Sequence, residues 1–494
     1  MDEIKEYVNA TNGFLFLIFI VVLRKFYSSF TQKHLPGPRR WPFLGTTLSF
    51  DMTRMMHDDQ LLQVARRYGD ICALRAFGED FILLNSYDVI REAAILKSND
   101  FVNRPLGKRF TWMQVDPNNE GIAFNDYENV KKTRNASVRI FRDLGVGRST
   151  MENVVTEEAR ILIDQFKSCD GNAFNPLDDV TFCVANVLQN FLFQERSKIC
   201  ELQTIFLNMK ITEQSFVFIF LFDSLPFMRH FPGLRKHFQA IVNPNIEIMN
   251  LMLSKAYSCV VNLDTLNNPS SFVEAFAQKY GKDSHEFRKV LPQNLMEFFA
   301  AGTDRTSSAL KWTLCLLANR QKTQKKLHNA IRNVIGPDGN YSLACKIPYL
   351  DAVILEVLRY CVPSPIALPH CVSTNEKVTL GGHVVPNDAT YIFNLFAVHR
   401  DPKTWGDPEQ FRPERFLDDD GNFVKHPHVI PFVLGKRSCP GELLARQLLY
   451  IFIANIFQKF HILPPEGVEK VSEEAAFGIV RGVKNFQIRA VEHL

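Results

Sequence analysis

The sequence has no closely spaced pairs of cysteines, no large excess of positive or negative charge and no internal repeat. Its ten cysteines show none of the spacings that mark a disulfide or zinc framework, so a reducing compartment fits best. A net charge of +4 over 494 residues favours neither a nucleic-acid binder nor a strongly charged partner. No long linker or low-complexity tract divides the chain, which makes one large core plausible despite its length.

The first thirty residues contain the longest apolar run. Residues 13–23 are unbroken, and the run extends to Phe30 if Arg24 and Lys25 reach the membrane surface. A cleaved signal peptide is the alternative, but the acidic start and the basic pair after the run favour an uncleaved signal anchor over 1–30. The basic pair also places the body of the protein in the cytosol. The prolines within 31–46 predict a stiff, non-helical hinge.

One cysteine, Cys439, stands where a loop ends and an apolar-periodic run to Phe460 predicts a helix. The positive end of the helix dipole and its N–H groups favour a thiolate there, and a thiolate can ligate a metal. The ordinary alternative for a single cysteine is a small buried apolar side chain. The spacing of the residues around Cys439 favours the ligand.

That spacing, Phe-x-x-Gly-x-Arg-x-Cys-x-Gly, resembles the haem-binding signature of the cytochrome P450 family; it is filled by Phe432, Gly435, Arg437, Cys439 and Gly441. The resemblance implies that Cys439 is the proximal thiolate of haem b. The two glycines would let the backbone pass close to the porphyrin, and Arg437 would reach a propionate. Because the chain has no Cys-x-x-Cys-His, we expect the haem to be held without thioether links.

Other motifs resemble the same family in the same order. Glu356-Val357-Leu358-Arg359 and Arg415 imply a buried ion network. The resemblance implies that His370 is a second residue that binds a haem propionate. It also implies that Arg134 is a third residue that binds a propionate, although Val130 occupies the position where the family usually has Trp. Together these matches extend the resemblance over most of the chain.

The helical pattern over 293–317 resembles the family's distal helix, in which an acid and a threonine help to deliver protons to oxygen. Asp304 fits the acid, but Arg305 occupies the family's threonine position. Thr306 and Thr303 are the candidate substitutes. We expect Arg305 to pair with Asp304 or another acid and to turn outward, because an unpaired guanidinium in an apolar pocket is costly. The alternative is that Arg305 points at the haem.

The resemblance also implies roles for two apolar segments. Residues 101–124, which show no period, would roof the substrate pocket, with Phe110, Trp112 and Phe124 as candidate lining residues. Residues 216–222, with Phe227 and Phe231 after them, would form an entry gate that touches the membrane, and core packing is the alternative. Residues 477–480 would form the last turn that lines the pocket.

We therefore expect a mainly α fold with a smaller β-rich part, the cytochrome P450 fold, plus an N-terminal membrane-anchor helix. Residues 47–494 would form the haem-binding catalytic domain. The resemblance is closest to the animal microsomal branch of steroid and xenobiotic hydroxylases. It implies a monooxygenase of the endoplasmic reticulum membrane that faces the cytosol and inserts one oxygen atom into a lipophilic substrate, a steroid, fatty acid or xenobiotic. The implied partners are an NADPH-dependent reductase and cytochrome b5. The rival functions are a haem-thiolate isomerase or dehydratase acting on a lipid peroxide, which Arg305 motivates, and a non-enzymatic haem or lipid binder.

Overall fold

The computed structural model describes residues 35–41, 44–51, 54, 57–76, 78–105, 115, 120–146, 149–260, 268–336, 341–476 and 478–493. The predicted anchor over 1–30 lies outside these residues, as do Phe110, Trp112 and Phe477. Within the described part of the chain, no helix is both long enough and apolar enough to cross a membrane.

Most of the described chain is helical. The helices are α1 (Asp58–Tyr68), α2 (Tyr87–Arg91), α3 (Tyr127–Asp143), α4 (Ser149–Ser168), α5 (Leu177–Phe193), α6 (Ile199–Gln214), α7 (Phe216–Ser224), α8 (Pro232–Cys259), α9 (Phe272–Tyr280), α10 (Leu291–Ala318), α11 (Gln321–Ile335), α12 (Pro348–Cys361), α13 (Leu395–His399), α14 (Pro402–Trp405) and α15 (Glu442–Lys459). Most residues of α10 and α15 are buried, so both helices run through the interior.

The strands form four small sheets. They are β1 (Ile71–Ala76), β2 (Glu79–Leu84), β3 (Val378–Leu380), β4 (His383–Val385), β5 (Thr390–Phe393), β6 (Phe460–Leu463), β7 (Ala475–Ala476), β8 (Gly482–Val483) and β9 (Arg489–Glu492). In the largest sheet β2 pairs antiparallel with β1 and parallel with β5. The pairs β3–β4, β6–β9 and β7–β8 are antiparallel. The mainly α fold with a smaller β part is therefore confirmed.

Two large apolar cores meet at the segment that carries Cys439. The larger core is helical and includes residues of α5, α10, α12 and α15, while the second surrounds the β1–β2–β5 sheet and α1. Phe432 packs against the helical core, whereas Val433 and Leu434 pack against the sheet core. The loop before Cys439 thus lies between the helical core and the sheet core and contacts both.

Several sequence-based element predictions are confirmed, with one correction. The apolar spacing of the sequence predicts helices over 127–141 and 293–317, and α3 and α10 cover both ranges. The residues over 71–84 predict a pair of strands, which the structure confirms with a turn at Gly78, whose φ is +86°. The residues over 390–396 predict a further strand, which is wrong at its end, because Asn394 caps α13 by accepting a hydrogen bond from the Ala397 N–H.

Candidate active site

Cys439 ends a tight loop just before α15. Its backbone N–H donates to the carbonyl of Phe432 at 2.9 Å, and the Ser438 N–H donates to the carbonyl of Gly435 at 3.1 Å. These two bonds fold residues 432–439 into a compact turn. The turn holds the thiol at the N-terminal end of α15.

The Cys439 side chain is exposed although protein surrounds the site, and we infer from this that its thiol borders a cavity. Burial raises the pKa of the Cys439 thiol, while a hydrogen bond from the Gly441 N–H and the charges of Arg305 and Arg134 act to lower it. One hydrogen bond and two cations are therefore already in place to stabilise the thiolate form of Cys439 when a metal binds it.

Gly435 allows the loop to pass against the turn after α2. Its φ is +75°, a region that favours glycine, and a Cβ built there would lie 1.9 Å from the carbonyl oxygen of Ala94. Gly441 has no such constraint on the backbone, but a Cβ there would lie 3.9 Å from the Cys439 sulfur. Both predicted glycines thus border the Cys439 loop, and only Gly435 is sterically required.

Two arginines connect the loop to other parts of the chain, and a third binds the segment over 123–126 nearby. Arg437 is 8% exposed and donates from Nη1 to the carbonyl of Ile122 at 3.3 Å and from Nη2 to that of Asn125. Arg134 donates from Nη2 to the carbonyl of Ser438, next to the cysteine. Arg104 is 5% exposed. We did not foresee Arg104; the available signal was an arginine held in extended backbone by Pro105 within the predicted roof.

Arg104 connects the roof segment to the chain around His370. Its Nε donates to the carbonyl of Ala123 at 3.0 Å and its Nη1 to that of Pro369 at 2.9 Å. His370 is buried, shares a hydrogen bond with the Phe101 carbonyl at 2.7 Å through Nδ1 and stacks on Phe393. Burial, followed by the charges of Arg104 and Arg437, holds the pKa of His370 well below its usual value. The His370 ring is therefore neutral, and the positive charges near it are those of Arg104 and Arg437.

The predicted ion network lies beside α12 and is fully formed. Arg359 donates to both carboxylate oxygens of Glu356, at 2.6 Å and 2.9 Å, and neither side chain is exposed. Arg415 adds a further contact to Glu356 at 3.2 Å. The remaining Arg359 donors bind the carbonyls of His399, Pro408 and Gln410. Every charge in the network is paired, which offsets the cost of burying it.

Gly302 at the centre of α10 matches the Ala/Gly-Gly pattern by which the family leaves space beside the haem. A Cβ at Gly302 would lie 2.7 Å from a methyl of Leu188 on α5. Gly302 therefore allows α5 and α10 to pack closely. Ala301, its neighbour, is exposed although most of the helix is buried, so the face that contains Ala301 borders the cavity.

Arg305 lies one turn after Ala301 and shares its face. Its Nε donates to the Ser364 hydroxyl at 2.9 Å, and its charge acts on the Cys439 thiol. Among the described residues no carboxylate forms an ion pair with Arg305. The expectation that Arg305 pairs with an acid and turns outward is therefore wrong.

Thr303 and Thr306 lie on other faces of α10. Both are buried, and Thr303 Oγ1 has no hydrogen-bond partner among the described residues. Each successive helical residue turns by about 100°, which places Thr303 roughly opposite Ala301. Asp304 is half-buried, and burial raises its pKa to about 6 despite the charges of Arg305 and Lys311. The structure thus brings the proximal residues together but does not gather the three distal candidates on the cavity face.

Comparison with known proteins gives a family. The cytochrome P450 family model matches residues 35–490. The chain belongs to the cytochrome P450 family. It is 30% identical over 488 residues to cytochrome P450 2D4 of Rattus norvegicus, with 96% of each chain covered. It is also 30% identical to cytochrome P450 2D27 of Mesocricetus auratus over 494 residues, covering 97% of this chain and 96% of the relative.

A third relative comes from another branch. Cytochrome P450 2C44 of Mus musculus is 30% identical over 440 residues, covering 86% of this chain and 87% of the relative. As a cytochrome P450, the protein is a haem-binding monooxygenase, an oxidoreductase whose cofactor is haem b. The predicted family, enzyme class and cofactor are confirmed.

The residues present fit haem. A thiol faces the cavity at Cys439, and the loop that carries it runs in a conformation that requires glycine at position 435. The buried donors of Arg104 and Arg437 lie near His370, as a pair of propionates requires. When bound, haem supplies the activation of oxygen.

Proposed function

We propose that this cytochrome P450 oxidises a lipophilic substrate with electrons from an NADPH-dependent reductase, with cytochrome b5 as a further donor. Cys439 would supply the thiolate ligand of the haem, and Arg437, Arg134 and Arg104 would hold the propionates, with His370 beside them. His370 would have to be protonated to donate to a propionate itself, because its Nδ1 already donates to the Phe101 carbonyl. Phe432, Gly435 and Gly441 shape the proximal loop. The single observation that carries this proposal is the Cys439 turn, with its thiol facing the cavity and cations around it.

The chain's own groups order the site before any chemistry. The Gly441 N–H and the charges of Arg305 and Arg134 favour the thiolate form of Cys439. Arg437 ties the proximal loop to residues 122–125 of the roof through two carbonyls. Asp304, whose pKa is about 6, can hold or release a proton near neutral pH. With Thr303 and Thr306 on other faces, we propose that a route through Asp304 carries protons inward.

We further propose that residues 1–30 anchor the protein in the endoplasmic reticulum membrane with residues 47–494 in the cytosol, joined by the hinge over 31–46. A second contact with the membrane comes from the turn after α7, where Phe227 is 56% exposed and Phe231 is 51% exposed. Phe222 within α7 is fully buried, so the segment divides into a part that packs inside and a tip that faces outward.

The test of the site is the reduced carbon monoxide spectrum. We expect Cys439→His to abolish the red-shifted Soret band, because imidazole cannot supply the electron density of a thiolate. The matched control is Cys200→Ser, which changes an exposed cysteine on α6 and should leave the band unchanged. Retention of the red-shifted band in Cys439→His would refute the assignment.

The test of the topology uses sealed microsomes. Added protease should digest the body of the protein, and removal of residues 1–30 should weaken membrane attachment without abolishing it. Replacing Phe227 and Phe231 with serine in the truncated protein should then release it. Full protection of the body from protease contradicts the cytosolic orientation.

A second candidate function rests on Arg305. An arginine on the cavity face offers hydrogen-bond donors and no acceptor where the family has threonine, so it cannot relay a proton in the same way. This observation favours a haem-thiolate isomerase or dehydratase that rearranges a lipid peroxide. Turnover of a lipid hydroperoxide without NADPH or reductase selects this function. An oxygenated product that requires both NADPH and reductase selects the monooxygenase.

A further inference from the structure

Three histidine side chains meet where the strand β9 ends. His328 lies on α11, His461 lies on β6, and His493 directly follows β9. The rings of His328 and His493 stack with their centroids 3.6 Å apart, and the centroid of the His461 ring lies 5.9 Å from that of His493. We call these three residues the histidine clasp, because they join α11, β6 and the end of β9.

Hydrogen-bond acceptors determine the neutral form of two of these rings. His328 Nδ1 donates to the carbonyl of Phe457 at 2.9 Å, so this nitrogen carries the hydrogen of the neutral ring. His461 Nε2 donates to the side-chain oxygen of Gln321. The amide nitrogen of Gln321 donates to two backbone carbonyls, which leaves its oxygen to face the histidine. Each neutral ring therefore uses its single N–H.

The ring of His493 disfavours a second proton. It bonds the carbonyl of Phe460, while its Nε2 is buried and has no hydrogen-bond partner in the part of the chain that the structure describes. The bond to Phe460 therefore comes from Nδ1, and a further proton would add a buried N–H at Nε2 with no acceptor. Burial, followed by the charges of His328 and His461, lowers the pKa of His493 to about 4.

The charged groups around the histidine clasp also disfavour this proton. Arg332, on the next turn of α11, lowers the pKa of His493 further. At the end of α15, the backbone carbonyl of the cationic Lys459 accepts the backbone N–H of His493 at 2.9 Å. Glu492 precedes His493, but its carboxylate pairs with Lys167 on α4 at 3.5 Å. The arrangement therefore suits three neutral rings.

The strand that ends at the histidine clasp covers the helical core. β9 pairs antiparallel with β6, so that Val491 lies opposite His461 and Ala490 lies opposite Ile462. Ile462 is 0% exposed and Ala490 is 3% exposed, and both belong to the helical core. Separation of β9 from β6 would therefore expose core residues directly after α15.

We propose that the histidine clasp is a pH-sensitive latch, which holds the end of β9 on the helical core at neutral pH and releases it in mild acid. Protonation of His493 places a positive charge against the stacked His328 ring and leaves a buried donor without an acceptor. Release of β9 removes both costs, because the freed ring reaches water. This inference concerns a conformational change in the fold and does not depend on the substrate, the reductase or the membrane anchor.

The expected size of the effect follows from proton linkage. In the released strand, His493 has an ordinary pKa of about 6.5, so proton binding at pH 5.5 favours release by a factor of about ten. The latched form, whose His493 has a pKa of about 4, gains almost nothing at pH 5.5. The latch is therefore complete above about pH 6.5 and weakens as pH falls toward about 4. Because His493 is half-buried, screening by solvent reduces the factor to about threefold to tenfold.

The experiment measures amide hydrogen exchange in the haem-loaded, full-length protein at pH 7.5 and pH 5.5. Each rate is corrected for the intrinsic effect of pH on exchange. Peptides over 488–494 report on β9, and peptides over 308–317 report on the core of α10. We expect exchange in β9 to be about threefold to tenfold faster at pH 5.5, and exchange in α10 to be unchanged.

Two variants and a control assign the effect to the histidine clasp. His493→Phe keeps a ring in the stack but binds no proton, so the exchange of β9 should no longer depend on pH. His328→Phe removes the charge that acts on His493 and should reduce the pH response. The matched control is His383→Phe, which changes an exposed histidine on β4 and should retain the wild-type response.

Three results overturn the proposal. Exchange in β9 of wild type that is equal at the two pH values means that no latch opens. A faster exchange at pH 5.5 that persists in His493→Phe assigns the pH response to another group. Equal acceleration of the β9 and α10 peptides shows that acid loosens the whole protein rather than the end of one strand.

Discussion

The two sides of the cavity are built on different principles. On the proximal side, the Cys439 turn lies between two packed cores, and the nearby Glu356–Arg359 pair is buried with every charge matched. On the distal side, the centre of α10 contains Arg305 with unused donors and Asp304 with a raised pKa. The charges of the Glu356–Arg359 network are satisfied by the protein itself, whereas Arg305 on the distal side keeps donors for a group that enters the cavity.

This difference separates residues that secure the fold from residues that select a ligand. Buried groups with complete partners stabilise the folded chain and have no remaining capacity to bind. Unsatisfied groups on a cavity face do the reverse, because they lower stability and gain from a ligand. Changes on the proximal side should therefore unfold the protein or release haem, and changes on the distal side should mainly alter binding and its pH dependence.

The largest effect is expected from Arg359→Ala. The change leaves Glu356 with a single cationic partner and deprives three backbone carbonyls of their donor. Breaking a buried pair in this way costs about 3–5 kcal/mol of unfolding free energy. Urea unfolding of the detergent-solubilised protein, followed by circular dichroism, measures the loss.

A surface pair provides the control for Arg359. Arg160 pairs with Glu157 at 2.8 Å on α4, again three residues apart, but its side chain is 62% exposed. Arg160→Ala should cause little change, because exposed pairs are screened by water and salt. Equal losses in the two variants would show that the buried network has no special role in stability.

The next effect is expected from Gly435→Ala. The new Cβ meets the Ala94 carbonyl oxygen at 1.9 Å, and φ at this position is +75°. The strained φ costs about 1–2 kcal/mol and the clash about 1–3 kcal/mol, so we expect a loss of about 2–5 kcal/mol and weaker haem retention. Urea unfolding and the haem content of the purified protein measure both effects.

Gly467 is a matched control because it has the same φ of +75° with open space around its Cβ position. Gly467→Ala isolates the cost of the backbone conformation, and the difference between the two variants gives the cost of the clash. If Gly467→Ala destabilises the protein as much as Gly435→Ala, the close approach to Ala94 contributes nothing.

Sequence reasoning was more successful on the proximal side, for a physical reason. The ion network follows from the motif that contains Glu356, because a buried charge permits few partners. The turn before Cys439 depends on local hydrogen bonds and one required glycine. Because all of these lie within eight residues, the spacing of the motif predicts the turn. Arg104 was missed because its partners are distant carbonyls of the roof and of Pro369.

The orientation of Arg305 could not be predicted in the same way. Energetic reasoning favoured an acidic partner on the helix itself, yet the structure provides Ser364, which is 59 residues away in the chain. Similarly, the methyl group that occupies the space at Gly302 belongs to Leu188 on another helix. Contacts between elements far apart in sequence determine the distal side, and neither helical periodicity nor local spacing encodes them.

The smallest effect on stability is expected from Asp304→Asn, and its sign depends on pH. Burial raises the pKa of Asp304 from 3.8 to about 6, so the folded protein retains a proton that the unfolded chain releases between these values. Asp304 does not lower the free energy of unfolding below about pH 4, where it is protonated in both states. It lowers the free energy of unfolding as pH rises through about 6. Asparagine is neutral throughout. The variant should match wild type near pH 4 and exceed it at pH 7.

The size of this gain is limited by the partial exposure of Asp304. A shift from 3.8 to about 6 would correspond to about 3 kcal/mol for a fully buried group, and solvent screening reduces the expected gain to about 1–2 kcal/mol. Urea unfolding from pH 4 to 8 measures it, with Asp164→Asn on the exposed part of α4 as the control. A stabilising effect that does not vary with pH would mean that the Asp304 charge is not its source. A loss of stability at pH 7 would show that the Asp304 carboxylate is as well satisfied as the proximal network, and the contrast between the two sides would then fail.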